Sequence, residues 1–455
     1  MPGPFCAPPS RRDKGVGTWR LAKGVCYERY GEHVYLRHID ARKDFLFNPL
    51  VYDLLGCFSG GPRTEEEVRA ALLEAYDAED TEAFRREIGG FLRQLEGEGI
   101  LKSDREPPPE AESPVELAQA ACEAEGRLFS AALELTYRCN ERCIHCYADD
   151  PPDGREELTL AEYRTLLEDL RDMGCVELLL TGGEVCVKDC FLQVAQYAAS
   201  LGMAVDIFTN GLGLTPELFD ALKALKPNSL SFSLYGGRAV HDQITGVPGS
   251  FDRTLRAVMA AKCAGFDTYI KTVVMRENLG ELEALLRLGR RLEIPVTAGF
   301  AVLDTHTGRS GAAHQLTEPE DIRRALELLE GCRSFAPGRR DPRGPVCSGG
   351  RTSLSVDPYG EVRPCVTMPV SLGNVRQTPV RRIWEGAPEL RAIRNRSLGS
   401  VCPRRGACPN IDYCEVCLGR VLAREDGGVP EDVCVLAEES RRLAEKRKRD
   451  KEEPI

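Results

Sequence analysis

The chain of 455 residues has no apolar run approaching the about 18 residues that a membrane-crossing helix needs, and no basic-then-apolar N-terminus. Neither a span nor a secretion signal is read from it, so a cytoplasmic protein with no membrane partner is expected. An excess of positive charge is also missing. The net charge of −11 argues against a surface that displaces counterions from phosphates, and no nucleic-acid partner is expected. The unusual feature is nineteen cysteines, an odd number. Without a secretion signal they point to metal ligands rather than disulfides.

Composition divides the chain. Residues 1–16 are rich in Pro and Gly with almost no apolar periodicity, and are expected to be a disordered tail. Residues 17–102 read as a compact winged-helix-like α+β module. Two alternating runs, Gly24 to Arg29 and His33 to Ile39, flank a break at Gly31 and Glu32. Three helical patterns follow, Asn48 to Leu55, Thr64 to Tyr76 and Thr81 to Glu98, with Thr64 and Glu67 spaced as a capping box. Residues 103–130 read as a linker that begins charged and proline-rich.

From residue 131 to 331 β-type and helical periods alternate. Six β-runs (Leu133 to Tyr137, Val176 to Leu180, Ala204 to Phe208, Ser229 to Leu234, Thr268 to Val274, Val296 to Val302) are separated by helical stretches. Such crossovers require a parallel sheet, and six units suit a partial (β/α)6 barrel of the TIM type, with active groups at the C-terminal strand ends. Residues 332–436 turn to Gly-, Pro- and Cys-rich loops. Residues 437–455 read as a charged C-terminal tail, a mixed-charge helix or tail on the solvated surface.

The first β-run is followed at once by Cys139, Cys143 and Cys146, spaced C-x3-C-x2-C. Three thiolates on a short loop can hold three corners of a four-iron cluster and leave one iron without a protein ligand. A zinc site would want a fourth Cys or His, and His145 between two ligands is poorly placed to supply it. The second β-run ends in Thr181, Gly182, Gly183 and Glu184. Glycines there would let backbone approach a ligand, and a carboxylate could accept from an ammonium.

The three cysteines and this GGE segment in a βα partial barrel resemble the radical S-adenosylmethionine (radical SAM) superfamily. The resemblance implies a [4Fe–4S] cluster, S-adenosyl-L-methionine and a 5′-deoxyadenosyl radical that removes hydrogen from unactivated carbon. It places Cys139, Cys143 and Cys146 at the catalytic cluster. It also makes His145, Gly182, Gly183 and Glu184 contacts of the cofactor, with Asn210, Ser233 and Lys271 as strand-end contacts, for each of which an ordinary loop or cap role stands equally open.

A second group of thiols comprises Cys347, Cys365, Cys402, Cys408, Cys414, Cys417 and Cys434, with Cys332 upstream. Gly360 five residues before Cys365 reads as a hairpin turn that presents the thiol. This order resembles the SPASM extension of radical SAM peptide-modifying enzymes, which carries auxiliary four-iron clusters. The spacing C-x5-C-x5-C-x2-C departs from the family's block in its first and last intervals. The resemblance implies Cys347, Cys365 and Cys417 on one auxiliary cluster, with Cys332 as a fourth ligand or a plain buried thiol. It puts Cys402, Cys408, Cys414 and Cys434 on another. Four-cysteine zinc knuckles are the bland alternative. The other cysteines, Cys6, Cys26, Cys57, Cys122, Cys175, Cys186, Cys190 and Cys263, read mostly as small apolar fillers. Cys186 and Cys190 are expected near the barrel mouth.

Between Pro62 and Leu101 eleven acidic residues face five arginines, which disfavours a DNA-recognition helix. The module resembles leader-peptide recognition domains similar to the small chaperone of pyrroloquinoline quinone maturation, which take an extended leader as an added edge strand. A structural appendage is the alternative. The combination implies a maturase of ribosomally made peptides that installs a cross-link, first a Cys thioether and next a carbon–carbon bond. Its partners would be a precursor peptide bound at residues 17–102 and an external electron donor of the flavodoxin or ferredoxin type. A sulfatase-activating formylglycine maturase is disfavoured because Val366 stands where that group tends to carry Asp after the second SPASM cysteine. A non-catalytic iron–sulfur or zinc peptide-binding protein is the reading from another class.

Overall fold

The computed structural model describes residues 18–452 except 23–24, 31–32, 39–42, 104–113, 149–153, 306–309, 331–342, 403 and 405–407. The expected tail 1–16, with Cys6, and the candidate ligand Cys332 lie outside the described residues. The chain divides into two compact units, residues 1–113 and 114–455.

The first unit runs β1 (Thr18–Leu21), β2 (Val25–Tyr30), β3 (His33–His38), β4 (Lys43–Phe47), α1 (Leu50–Gly56), β5 (Arg63–Thr64), α2 (Glu65–Tyr76), α3 (Glu82–Gly97) and β6 (Leu101–Ser103). The three expected helices are present. Thr64 accepts from the Glu67 amide while the Glu67 carboxylate accepts from the Thr64 amide, so the capping box fixes where α2 begins. The sequence reading of two strands falls short of what is found. Two antiparallel three-stranded sheets are present, β5-β1-β6 and β2-β3-β4. Trp19, Leu36, Leu54, Leu72 and Leu92 form their shared core.

The second unit opens with α4 (Pro114–Ala124), which corrects the reading of 103–130 as linker throughout. It continues β7 (Ser130–Glu134), α5 (Leu160–Asp172), β8 (Glu177–Thr181), α6 (Phe191–Ser200), β9 (Ala204–Thr209), α7 (Pro216–Leu225), β10 (Ser229–Ser233), α8 (Arg238–Thr245), α9 (Ser250–Cys263), β11 (Thr268–Val273), α10 (Leu282–Leu292), β12 (Val296–Gly299) and α11 (Pro319–Leu328). Six parallel strands in the order β12-β11-β10-β9-β8-β7 make a partial barrel, as the alternating periods require. β7 starts three residues before the expected run. Its outer edge is taken by β13 (Ser353–Val356), which pairs parallel to it, followed by β14 (Glu361–Arg363) and β15 (Gly373–Asn374) in antiparallel order. The C-terminal loops thereby belong to the same nine-stranded sheet as the barrel.

Short helices α12 (Val380–Gly386), α13 (Pro388–Arg394), α14 (Leu398–Val401) and α15 (Leu418–Leu422) precede the long α16 (Glu431–Glu452). The expected helix is present, and the expectation that this stretch is solvated is corrected as far as Leu443. Val433, Leu436, Ala437, Ser440 and Leu443 are buried along one face of α16. Glu439, 1% exposed, accepts from Arg323 of α11 at 2.7 Å and from Arg442 at 2.6 Å. Charges at the other positions hide a buried stripe at helical spacing. Among the described residues no helix is long and apolar enough to cross a membrane.

Candidate functional site

The loop after β7 carries Cys139, Cys143 and Cys146, and backbone bonds hold it from two sides. Arg142 and Ile144 donate their amides to Thr245 and Ile244 at the end of α8, at 2.8 and 3.0 Å. On the other side Gly183 donates to the Thr136 carbonyl at 2.6 Å and Glu184 to that of Arg138 at 3.1 Å. The strand-end glycines serve this second contact. A Cβ on Gly182 would stand 2.4 Å from the Thr136 carbonyl oxygen, and one on Gly183 2.4 Å from that of Arg138. Gly182 also has φ of +131°. Their smallness therefore admits the cysteine loop itself.

A cavity of about 570 Å3 opens at the C-terminal strand ends. Cys139, Cys143, His145, Cys146, Gly182, Gly183, Asn210, Ser233 and Lys271 all line it. Glu184, expected among the cofactor contacts, is absent from the lining. Its carboxylate is 1% exposed and accepts from Thr209 Oγ1 at 2.6 Å, the Asn210 amide at 2.7 Å and the Cys186 amide at 3.2 Å. It ties the end of β8 to the end of β9. Asn210 in turn donates its side-chain amide to Asn140 Oδ1 at 2.6 Å, bracing the loop beside Cys139.

The chemistry of the donors suits an iron–sulfur cluster. Burial pushes the Cys139 thiol up to about 11 and raises that of Cys143 as well, so the thiolates that bind iron need a cationic partner among them. His145 is pushed down to about 4 by burial, which keeps its ring neutral, and its Nδ1 has no hydrogen-bond partner. The ring meets Tyr235 edge-on at 4.7 Å between centroids. Lys271 Nζ stands 4.1 Å from the centroid of the Phe208 ring, and burial lowers its pKa.

Sequence reasoning missed Glu141, Tyr147, Ser231 and Tyr235, which also line the cavity. Glu141 is 4% exposed, and burial raises its carboxyl to about 7. Its sequence signal was a charge inside the cysteine motif. Tyr147 donates at 2.8 Å to Glu134, a carboxylate 1% exposed at the end of β7 that also accepts from Tyr137 at 3.2 Å. Burial raises Glu134 to about 7.

The C-terminal thiols fall into two groups. The Thr367 hydroxyl lies 3.0 Å from Cys365 Sγ and 3.6 Å from Cys417 Sγ, and the Cys347 thiol is raised chiefly by burial and further by these two neighbours. Gly360, with φ of +86°, turns the β13–β14 hairpin that leads to Cys365. Cys402, Cys408, Cys414 and Cys434 line a separate pocket of about 470 Å3, where burial pushes Cys414 up to about 11. Among the described residues no group of His, Cys, Asp or Glu closes on a single metal ion. What the thiols share is proximity within their two sites. Cys186 and Cys190 pack against the main core and do not line the cavity, and Cys263 is exposed rather than a filler.

Comparison with known proteins bears on both cysteine regions. The Radical SAM superfamily model matches residues 133–289, and the SPASM model, an iron-sulfur cluster-binding domain, matches 347–417. An AdoMet-dependent heme synthase of Methanosarcina barkeri is 30% identical over 322 residues, covering 63% of this chain and 89% of its own. The mycofactocin maturase MftC of Mycolicibacterium smegmatis is 28% identical over 319 residues, covering 66% and 79%. Among solved structures, Streptococcus suis SuiB bound to its precursor peptide SuiA superposes with a TM-score of 0.54 at 14% identity, over 91% of this chain and 99% of that one. At that identity the likeness is one of fold.

Proposed function

This chain belongs to the radical SAM superfamily and carries a SPASM iron–sulfur domain, and on that premise we propose that it is a maturase of a ribosomally made precursor peptide. As an enzyme of this superfamily it uses [4Fe–4S] clusters and S-adenosylmethionine, which together supply a radical strong enough to take hydrogen from an unactivated carbon. The chain's own residues hold and screen the reacting groups. Cys139, Cys143 and Cys146 would carry the catalytic cluster. Cys347, Cys365 and Cys417 would carry one auxiliary cluster, and Cys402, Cys408, Cys414 and Cys434 the other. Gly182, Gly183 and Glu184 fix the loop and strand ends around the cavity, and His145, Tyr235 and Lys271 shape its wall.

The observation that carries the peptide reading is the separate unit of residues 1–113. Its β2-β3-β4 sheet leaves β2 and β4 as edges, and Tyr35 and Leu46 are exposed apolar side chains on it. An extended leader could add to such an edge, main-chain bonds giving affinity and side-chain pockets giving choice. The kinship with a mycofactocin maturase supports the same class of substrate. A Cys thioether is the first choice of product and a carbon–carbon cross-link the second, with a flavodoxin- or ferredoxin-type electron donor.

The 30% identity to a heme synthase favours a second reading, a haem precursor as substrate. That relative is matched over 63% of this chain and the maturase over 66%, so coverage does not choose between the readings. Deletion of residues 1–113 separates the two. On the peptide reading it weakens precursor binding while 5′-deoxyadenosine release continues. Equal loss of both would make the unit structural, and turnover of a tetrapyrrole by the truncated chain would favour the second reading.

A further inference from the structure

Asn210, at the end of β9, has each of its polar groups engaged, and its side-chain donors point at the first cysteine loop. We propose that Asn210 is a positioning residue that acts through Cys139: its side-chain amide donates to the Cys139 sulfur and makes the catalytic cluster easier to reduce. Asn210 is 6% exposed. Glu184 accepts from its backbone amide at 2.7 Å, and the Thr254 hydroxyl donates to its carbonyl at 2.7 Å. The Leu212 amide donates to Asn210 Oδ1 at 2.9 Å, which turns the NH2 group toward the loop. There Nδ2 donates to Asn140 Oδ1 at 2.6 Å and to Cys139 Sγ at 3.8 Å. A side-chain amide carries two N–H donors, so both acceptors can be served at once. Glu141 adds its backbone N–H to the same sulfur at 3.4 Å.

Donors aimed at a cluster sulfur favour the reduced state, because an added electron increases the negative charge on the sulfur that they face. The Asn210 amide is fixed by bonds that do not involve that sulfur, so it has no reorganisation to undergo when the charge changes. A contact with the cofactor through the same amide would have to give up one of these two acceptors. The inference rests on the assignment of Cys139 to the catalytic cluster and is independent of the peptide substrate.

The test is a redox titration of the full chain with reconstituted clusters, read by electron paramagnetic resonance at the signal that responds to S-adenosylhomocysteine. At a fixed potential the ratio of reduced to oxidised cluster should fall about tenfold in N210A, which for a one-electron couple is about 59 mV. The signals of the other clusters should not move, and calorimetric affinity for S-adenosylhomocysteine should stay within about twofold of the parent. N140A, which removes the other acceptor and leaves the sulfur bond, should also keep the ratio within about twofold. If N210A fails to take up iron, N210S is read in its place with the same expectation, since a serine hydroxyl can still accept from the Leu212 amide. The proposal is overturned if the ratio in the Asn210 variant stays within about twofold of the parent, or if all cluster signals shift together. A shift of the same size in N140A would make Asn210 a brace of the loop, and a loss of S-adenosylhomocysteine affinity at an unchanged ratio would make it a cofactor contact; each overturns the proposal. Failure of both Asn210 variants to take up iron would make the residue structural and overturn it too. A parent without any signal that responds to S-adenosylhomocysteine would remove the cluster assignment and this inference with it, whereas the other outcomes leave that assignment standing.

Discussion

Cys139, Cys143 and Cys146 reach the barrel mouth on a single loop, whereas the seven C-terminal thiols are gathered from segments spread over residues 347–434. The first group faces a cavity of about 570 Å3 and rests on backbone contacts from β8 and α8. In the second region Cys347, Cys365 and Cys414 pack directly against a small core of Val346, Met368, Leu418, Val421 and Val433. One arrangement leaves a face for a ligand. The other seats its thiols on the apolar residues that its loops bring together, so that ligand and core are built from the same segments.

The largest contrast should appear on removing one thiol from each region. Cys143→Ala is expected to abolish 5′-deoxyadenosine release and to lower iron from about 12 to about 8 per chain, on four irons per cluster. Its melting temperature should stay close to that of the parent, since the loop's backbone bonds do not involve the thiol. Cys414→Ala should lose iron as well, but with a clear fall in melting temperature and early proteolysis in the 402–434 region. Similar thermal losses in the two variants would break the distinction between an open, reactive site and a structural one.

A smaller effect is expected where α16 closes the second unit. Arg323→Ala leaves Glu439, 1% exposed, with Arg442 still bonded to it. Removing one of the two guanidinium donors to a buried carboxylate leaves it less compensated, which thermal unfolding would register as a fall of several degrees. Cofactor cleavage should persist at low temperature. No change in melting temperature would mean that the Arg323–Glu439 contact does not hold the buried face of α16 in place.

These differences track what a sequence makes legible. The βα alternation was readable because each parallel strand is a short apolar run with its own turn signals, and α7 begins at Pro216 as its pattern demands. The three-cysteine loop and the GGE segment were readable because their spacing is local. β13 was not, since its pairing with β7 joins residues 353–356 to 130–133, and no local pattern specifies so distant a partner. α8 was missed as a short helix between two stronger signals, although Ile244 and Thr245 at its end hold the cysteine loop. Glu184 was legible in the motif, but its bonds to Thr209 and Asn210 were not, because which way a side chain points depends on neighbours distant in sequence.

The smallest predicted effect lies where the two cysteine regions meet. Glu134, at the end of β7, accepts from Tyr137 and from Tyr147 of the first cysteine loop. Its electrostatic neighbours include Arg363 and Asp357 of the hairpin that leads to Cys365. Burial raises its pKa from 4.5 to about 7, outweighing the two tyrosines and Arg363, which lower it. The folded chain thus binds a proton there more tightly than the unfolded one. That stabilisation is complete below pH of about 4.5, declines as pH rises, and is gone above about 7. Glu134→Gln has no proton to lose. The melting temperature of the parent relative to the variant should therefore fall by a few degrees between pH 5 and 8, equivalent to at most about 3 kcal/mol. A flat difference would mean that Arg363 already balances the carboxylate, tying the first cysteine loop to the hairpin of the second region by charge as well as by the β7–β13 pairing.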